Sequence, residues 1–307
     1  MMAILLFHTE MYYAGTDVVP YSCYVDNVLA AFFFVSGYLL YRKQPLDVHR
    51  KLAAILRHLV VPYFVFTLLF VVPKALVHDS MDHLVPMVLQ IVTGQASWFV
   101  AALIVSELFF VLLIKVSEPH RLLTVAIAGM QFLIAAIVFG NTKSAHYNTL
   151  NLWHVNEAML GCFFMAVGYV YHAHECRLKL PAWAVGALAF AMLIVSKRLL
   201  LSKGLHTVFG PIIIDSFPLF VIDNLLAISF LVSVFKAIPH VQLMSWIGRR
   251  SIVFYFICGG VPLLVGKAFC MAGFGYAGHL SVVPVYVVVL GLSALLVACI
   301  YRFYPNI

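Results

Sequence analysis

Residues 97–115 read SWFVAALIVSELFFVLLIK, a nearly unbroken apolar run of the length that crosses a bilayer as an α-helix. The rest of the 307-residue chain is similar, because 64% of its residues are hydrophobic and only 10% are charged. Charged residues make up about 25% of an ordinary soluble domain, and a soluble fold of this composition would expose large apolar areas. Together with a mean hydropathy of +1.03, the run predicts a polytopic helical membrane protein.

Other apolar runs follow along the chain, separated by glycine, proline and charged clusters. They predict an all-α membrane bundle of about ten transmembrane helices, forming one domain over residues 1–307. The first predicted span, residues 1–8, is too short to cross a bilayer, because eight helical residues cover only about 12 Å. We expect this span to be truncated in this chain and to begin upstream; the alternative is a first helix that spans only half of the membrane. The nine full spans are predicted at residues 27–42, 58–77, 97–115, 122–140, 153–172, 181–200, 218–236, 251–270 and 281–301.

The basic residues are distributed unevenly between the two sets of alternate loops, and this orients the chain. One set holds 13 of the 19 lysines and arginines, so the positive-inside rule assigns it to the cytoplasm. We therefore predict a multi-pass protein of the plasma (inner) membrane, with a cytoplasmic C-terminus and His8 near the outer face. The same distribution explains the net charge of +7 without a nucleic-acid partner. The cytoplasmic set is Arg42, Lys43, Arg50, Lys51, Arg57, Lys115, Arg121, Arg177, Lys179, Lys236, Arg249, Arg250 and Arg302.

No metal centre is predicted. The six cysteines form no CxxC pair and no cluster with the spacing of metal ligands. His154 and Glu157 are three residues apart at the start of a predicted span and share a helical face. Metal binding needs at least one more ligand at a fitting spacing, and the sequence offers none.

His8 is the ionisable residue that points most directly to a functional site. It follows the apolar segment 1–7, and an ionisable group at the edge of a hydrocarbon-facing helix is costly unless it has a role. The alternative is a tolerated interfacial histidine. Glu10 lies two residues further on, off the helical face of His8. Asp26 opens the second predicted span, where it would either cap that helix or face His8 and tune its pKa.

Three cations precede the third predicted span at the cytoplasmic edge. They are Arg50, Lys51 and Arg57. One interpretation is an orientation signal with side chains that extend to the interface. The other is a binding site for the phosphates of a cytosolic, nucleotide-bearing donor.

Polar residues in other spans are candidates for substrate binding or helix packing. Glu107 lies in the middle of its span and must find a partner or stay protonated, so we expect it to face the bundle interior. Asp223 and Asn224 lie inside the eighth span, where interhelical hydrogen bonding and catalysis explain them equally well. Ser36 belongs to a Ser-Gly pair that favours close helix packing, and Trp98 marks the headgroup level.

Five stretches, in this order and spacing, resemble the acyltransferase-3 family of integral membrane acyltransferases, which acylate sugars of cell-surface glycans. The matched elements are a first-span histidine, Phe-Phe-x-x-Ser-Gly, Arg-x-x-x-x-Pro, Trp-Phe-x-x-x-Leu and a late Gly-x-x-Ser-Leu-x-x-Tyr. The stretches are Leu5-Leu6-Phe7-His8-Thr9, Phe32-Phe33-Phe34-Val35-Ser36-Gly37-Tyr38-Leu39, Arg57-His58-Leu59-Val60-Val61-Pro62-Tyr63, Ser97-Trp98-Phe99-Val100-Ala101-Ala102-Leu103 and Ile247-Gly248-Arg249-Arg250-Ser251-Ile252-Val253-Phe254-Tyr255.

The resemblance implies an O-acyltransferase that moves an acyl group, with acetyl the first expectation, from cytosolic acyl-CoA to a hydroxyl of a cell-surface or lipid-linked glycan. His8 would be the general base, oriented by Glu10 or Asp26. Acetyl-CoA or another acyl-CoA is the donor, the partners are the glycan and membrane lipid, and neither metal nor nucleic acid takes part. The cations that would hold the CoA phosphates are Arg50, Lys51 and Arg57. The residues that would bind substrate or support the fold are Ser36, Trp98, Glu107, Asp223 and Tyr255.

The sequence departs from the family pattern at two positions within the chain. Ala54 stands where a second basic residue often precedes the conserved arginine, and Ile257-Cys258-Gly259 stands where many members have a histidine. The basic residue that the family places eleven positions before its first histidine would lie upstream of Met1.

Two alternatives to an enzyme remain at this stage. A transporter or flippase of a lipid-linked glycan would need a polar interior. Glu107, Asp223 and Asn224 would provide one. Transporters often have duplicated halves with helices broken at matching positions, and no such pairing is evident here. The other alternative is a diverged scaffold of a surface-polysaccharide assembly.

Overall fold

The computed structural model describes residues 1–42, 44–77, 84–117, 120–139, 151–177, 181–210 and 212–303. Lys43 and Lys179, two members of the predicted cytoplasmic set, lie outside these ranges. The α-helices within them are α1 (Met2–Thr9), α2 (Tyr21–Leu40), α3 (Val48–Ile55), α4 (Val61–Val77), α5 (Leu84–Val92), α6 (Trp98–Ser117), α7 (Arg121–Ile134), α8 (Val155–His174), α9 (Ala182–Lys203), α10 (Phe217–Ala237), α11 (Gln242–Arg249), α12 (Ser251–Ile257), α13 (Gly260–Met271) and α14 (Val282–Phe303).

Shorter helical segments extend several of these helices. The π-helical ones are Glu10–Ala14, Leu56–Val60 and Ala135–Phe139, and the 3₁₀ ones are Gln95–Ser97, Leu152–His154, Glu175–Arg177 and His279–Ser281. Between α9 and α10, β1 (Thr207–Val208) and β2 (Ile213–Ile214) form an antiparallel hairpin, with Thr207 opposite Ile214 and Val208 opposite Ile213.

All nine predicted full spans fall on helices, which confirms the helical bundle. Over the described residues, six helical runs are long and apolar enough to cross a membrane. The pair α12 and α13 forms a seventh if its two helices, bent by 45°, count as one span. Gly259, Gly260 and Pro262 explain the bend, because each weakens the backbone hydrogen bonding of a continuous helix. The six runs are Tyr21–Leu40, Val48–Val71, Gln95–Ser117, Ala182–Lys203, Phe217–Ala237 and His279–Phe303.

The count is smaller than the nine predicted spans for two physical reasons. The apolar part of the predicted span 122–140 is the shorter helix Leu122–Val138. The predicted span 153–172 corresponds to α8, which is 20 residues long but carries polar side chains such as Asn156 and Glu157. The third predicted span also starts ten residues early, because α3 runs through a π-helical segment into α4.

Contacts divide the chain into two compact units. The first unit comprises residues 1–25, 64–84 and 240–307. Within it, α1 packs against α13 and α14, and the segment Glu10–Ala14 packs against α13. The boundary at residues 25 and 26 falls inside α2, and the prediction of one domain over residues 1–307 stays a prediction.

The second unit comprises residues 26–63 and 85–239. Here α8 packs against α6 and α7, α3 packs against α6, and α9 pairs with α10. The predicted close packing at the Ser-Gly pair is present: a Cβ added at Gly37 would overlap the backbone of Met165, and one at Gly168 would overlap the Phe34 carbonyl. The two glycines therefore let the backbones of α2 and α8 come into direct contact.

Candidate functional site

His8 lies in the last turn of α1, in the first unit, with aromatic side chains on either side. Its ring stacks on Tyr12, with centroids 6.0 Å apart and 15° between the planes, and meets Phe7 edge-on at 5.4 Å. Tyr12 belongs to the π-helical segment Glu10–Ala14, and such segments are frequent at functional sites. Neither ring nitrogen of His8 forms a hydrogen bond to another described residue, so the imidazole is held by packing alone.

Glu10 is buried at 2% exposure, and its carboxylate has a local partner. Its Oε2 accepts a hydrogen bond from the backbone N–H of Val19 at 3.4 Å. The side chain therefore fastens the loop that joins α1 to α2. The predicted role of Glu10 in orienting His8 stays a prediction.

Asp26 does not cap a helix, contrary to one of the two sequence interpretations. Helix α2 already begins at Tyr21, so Asp26 lies in its second turn. Its Oδ1 accepts a hydrogen bond from the backbone N–H of Phe209 at 2.9 Å, whereas Oδ2 is buried without a hydrogen bond to the described residues. Asp26 belongs to the second unit and His8 to the first, and the pairing of these two side chains stays a prediction.

Asp223 is the centre of a buried polar network in the second unit. Its Oδ2 accepts a hydrogen bond from Asn27 at 2.8 Å and pairs with Lys197 Nζ at 2.5 Å. Its Oδ1 accepts a hydrogen bond from Ser196 at 2.8 Å, and Asn27 also donates to Asn224 at 3.1 Å. The network therefore links α2, α9 and α10 by interhelical hydrogen bonds.

Glu107 faces the interior of the second unit, at 6% exposure, as the cost of a lipid-facing carboxylate predicts. Its Oε2 pairs with Lys51 Nζ at 2.5 Å. Lys51, which was predicted to bind the donor phosphates, therefore neutralises Glu107, which was predicted to bind substrate or support the fold. Arg50 and Arg57, on the same helical run as Lys51, are exposed.

Three further predicted site residues lie on separate elements. Ser36 is half-buried in α2, and Tyr255 is half-buried in α12, where its ring lies 5.9 Å from Phe256. Trp98 begins α6, and its ring lies so close to Gly210 that any larger residue there would overlap it. Trp98 belongs to the second unit and Tyr255 to the first.

A second cluster of ionisable side chains lies at the start of α8, next to Trp98. The ring of His154 lies 6.1 Å from that of Trp98. His154 Nδ1 lies 3.3 Å from Glu157 Oε2, which also accepts a hydrogen bond from Asn151 Nδ2 at 2.6 Å. The backbone carbonyl of Asn151 accepts a hydrogen bond from Gln95 Nε2 at 2.7 Å.

The backbone at this cluster has an uncommon conformation. Trp153 and His154 have φ values of 54° and 52°, and among the described residues they are the two non-glycine residues with positive φ. Such a conformation costs of order 1–3 kcal/mol per residue and persists only where the surroundings enforce it. The Trp153 N–H donates to the Thr93 carbonyl at 2.9 Å. A Cβ added at Gly94 would lie 2.6 Å from the Trp153 Cα.

Sequence reasoning missed three features that the structure shows. It considered His154 and Glu157 only as a possible metal site, which it rejected, and it overlooked Asn151. It counted Lys197 only among the basic residues of the outer side and its span ends, although a lysine inside the predicted span 181–200 signals a buried partner. It also overlooked Tyr12, which is four residues from His8 and therefore on the same helical face.

These features define a helical membrane protein whose buried carboxylates are held by cations, amides and backbone N–H groups. A family model described as an acyltransferase domain, that of the acyltransferase-3 family, matches residues 1–302. The chain belongs to this family and is a membrane acyltransferase. No match was found among curated proteins or among solved structures.

Proposed function

We propose that the protein transfers an acyl group, most simply acetyl, from cytosolic acyl-CoA to a hydroxyl of a cell-surface or lipid-linked glycan in the plasma (inner) membrane. Family membership carries the proposal, since the match spans residues 1–302 and includes His8 and all five quoted stretches. The acceptor oxygen would attack the thioester carbonyl, forming a C–O bond while the C–S bond breaks. His8 would take the hydroxyl proton and pass it to the departing CoA sulfur.

The surroundings of His8 support its role as general base. A base must have a nitrogen lone pair free for the substrate proton, and no described residue hydrogen-bonds to this ring. Stacking on Tyr12 fixes the ring plane. The ring can therefore be oriented by packing before any carboxylate contributes.

The cations of the second unit support a donor site that centres on Arg50 and Arg57. These residues are seven positions apart, about two helical turns, and are therefore close to the same face. Both are exposed, and guanidinium groups bind phosphates with two parallel hydrogen bonds. Lys51 already neutralises Glu107, so we assign it to positioning rather than to direct contact with CoA.

The transporter alternative loses its main support. The buried carboxylates Glu107 and Asp223, which suggested a polar pathway, are each paired with a lysine of the same unit. Such pairing is what stable helix packing needs. We therefore propose an enzyme rather than a carrier.

The test is the substitution His8→Ala in the purified protein, with acetyl-CoA as donor and methyl glycosides as acceptors. Removing a general base lowers turnover by about 10²–10⁴-fold, so we expect acceptor-dependent release of CoA thiol to fall at least 100-fold. Expression and the thermal unfolding midpoint should stay close to those of the wild type. CoA release is measured with a thiol reagent and acyl transfer by mass spectrometry.

The matched control is His279→Ala, which removes an exposed histidine of the same unit. This variant should keep full turnover. Undiminished acylation by His8→Ala would reject His8 as the base, and transport of a lipid-linked glycan without any CoA release would reject the enzyme.

A further inference from the structure

The imidazole of His154 is buried in an arrangement that its own fold does not explain. Both ring nitrogens are shielded from solvent, and neither forms a hydrogen bond of good geometry to the described residues. Nδ1 lies 3.3 Å from Glu157 Oε2, whereas Nε2 has no hydrogen-bond partner among the described residues. Buried polar atoms in native proteins almost always have a partner, and an exception calls for a ligand, a water or a catalytic role.

The backbone holds this ring in place against its own preference. His154 has φ 52° in a two-residue left-handed stretch, a conformation that glycine, and occasionally asparagine, adopts routinely and that bulky residues avoid. The surrounding contacts enforce it through the Thr93 carbonyl and the closely packed Gly94. Strain of this kind clusters at ligand-binding and active sites.

The side chains next to the His154 ring form a set suited to a sugar. Glu157 and Asn151 supply a carboxylate and an amide, and both are fixed by their 2.6 Å hydrogen bond. Trp98 supplies an indole ring 6.1 Å from the imidazole. Small-molecule sites combine aromatic surface with a few fixed polar groups in this way, and a hydroxyl donates readily to a neutral imidazole nitrogen.

We propose that His154, Glu157, Asn151 and Trp98 form the subsite that binds the sugar acceptor, with His154 Nε2 accepting a hydrogen bond from one of its hydroxyl groups. Glu157 keeps the ring oriented through its Oε2, which lies 3.3 Å from Nδ1. The subsite deepens the proposed function and rests on it, because the acceptor is a glycan only if the enzyme acylates glycans. In this proposal His154 binds and positions the acceptor and takes no part in proton transfer.

The test is His154→Asn, which removes the imidazole but keeps a residue that tolerates the left-handed backbone. Loss of one strong hydrogen bond to substrate corresponds to about a tenfold change. We expect the KM for methyl glycoside acceptors to rise at least tenfold, while the KM for acetyl-CoA stays within about twofold. The thermal unfolding midpoint should stay equal or rise, because asparagine relieves strain.

His172→Asn is the matched control, since it removes a histidine from the other end of α8. It should leave the acceptor KM unchanged. An unchanged acceptor KM in His154→Asn, or equal increases for donor and acceptor, would overturn the subsite. If His154→Asn does not fold, Glu157→Gln replaces it, because glutamine keeps the shape and an oxygen for Asn151, and the same increase is expected.

A binding measurement separates failure of the subsite from failure of the proposed function. Methyl glycosides are titrated against wild type and His154→Asn, and intrinsic tryptophan fluorescence is recorded. Suppose that the wild type binds glycosides but releases no CoA, and that His154→Asn binds glycosides more weakly. This result would reject acyl transfer and keep the subsite. Suppose instead that the wild type releases CoA and that His154→Asn binds glycosides as tightly as the wild type. This result would keep the enzyme and reject the subsite.

Discussion

A histidine–glutamate pair of the same spacing lies at each end of helix α8, and the two pairs have different surroundings. At the first end, His154 Nδ1 lies 3.3 Å from Glu157, both side chains are largely buried, and the backbone at His154 is left-handed. At the other end, His172 Nε2 lies 3.9 Å from Glu175, both side chains are partly exposed, and His172 lies within the regular helix.

The partners account for most of the difference. His172 Nδ1 lies 2.7 Å from the Tyr38 carbonyl, and its ring stacks on Tyr38 at 4.1 Å. Glu175 accepts hydrogen bonds from the Tyr38 hydroxyl at 2.9 Å and from Lys236 at 3.1 Å. Every polar group of this second pair thus has a protein partner, whereas His154 Nε2 has none among the described residues. Equal sequence spacing therefore does not imply equal chemistry.

The largest effect should follow from breaking the backbone that supports the first pair. We expect Gly94→Ala to destabilise the protein by about 2–4 kcal/mol, because φ at Gly94 is +83° and the new Cβ would lie 2.6 Å from the Trp153 Cα. The measurement is the thermal unfolding midpoint in detergent, combined with glycoside binding, which should weaken in parallel.

The control for this substitution is Gly129→Ala on α7, where a Cβ would meet nothing within 4 Å. Alanine should stabilise that helix by up to about 1 kcal/mol. Equal midpoints for Gly94→Ala and the wild type would show that the left-handed stretch does not need Gly94.

An intermediate effect should separate the two glutamates. Glu157→Ala leaves the buried Asn151 amide without its 2.6 Å acceptor, and we expect a loss of about 2–3 kcal/mol. Glu175→Ala removes contacts at a partly exposed end, where pairs contribute about 0–1 kcal/mol. Unfolding midpoints of the two variants test this ranking, and an equal or reversed order would show that burial does not set the difference.

The same contrast shows what sequence could and could not predict. The spans followed from sequence because apolar length is a local property, and the interior position of Glu107 followed from the cost of placing a carboxylate in lipid. Its partner Lys51 did not follow, because pairing between distant segments depends on how α3 packs against α6. The left-handed stretch at Trp153 and His154 was also hidden, since neither residue type signals positive φ and Gly94 acts on it from another segment.

The candidate site was predicted in part for the same reason. His8 was selected for its position at the end of an apolar segment and for the family motif, and its catalytic role stays a prediction. The packing of Tyr12 against it depends on the turn that follows α1. The helix-cap interpretation of Asp26 was wrong because α2 starts at Tyr21, six residues before the predicted span 27–42. Helix ends are set by local contacts that an apolar pattern does not show.

The smallest effect should be a pH dependence at the second pair. Burial raises the pKa of Glu175, but the hydrogen bonds from Tyr38 and Lys236 and the charge of Lys236 lower it by more, so that it lies below its ordinary value of 4.5. A carboxylate with a lowered folded pKa contributes stability above its unfolded pKa and loses that contribution as the pH falls through the folded pKa. Its contribution is at most about 1 kcal/mol, since the pair is partly exposed.

The unfolding midpoint of wild type should therefore exceed that of Glu175→Gln at about pH 6, and the difference should shrink as the pH falls below 4.5. Tyr38→Phe removes one of the hydrogen bonds that lower the pKa of Glu175, so its pH-dependent loss of stability should be smaller than in the wild type and should be complete at a higher pH. A midpoint difference that stays constant from neutral to acidic pH would mean that Glu175 contributes through packing rather than through charge. That result would make the two ends of α8 more alike than their partners suggest.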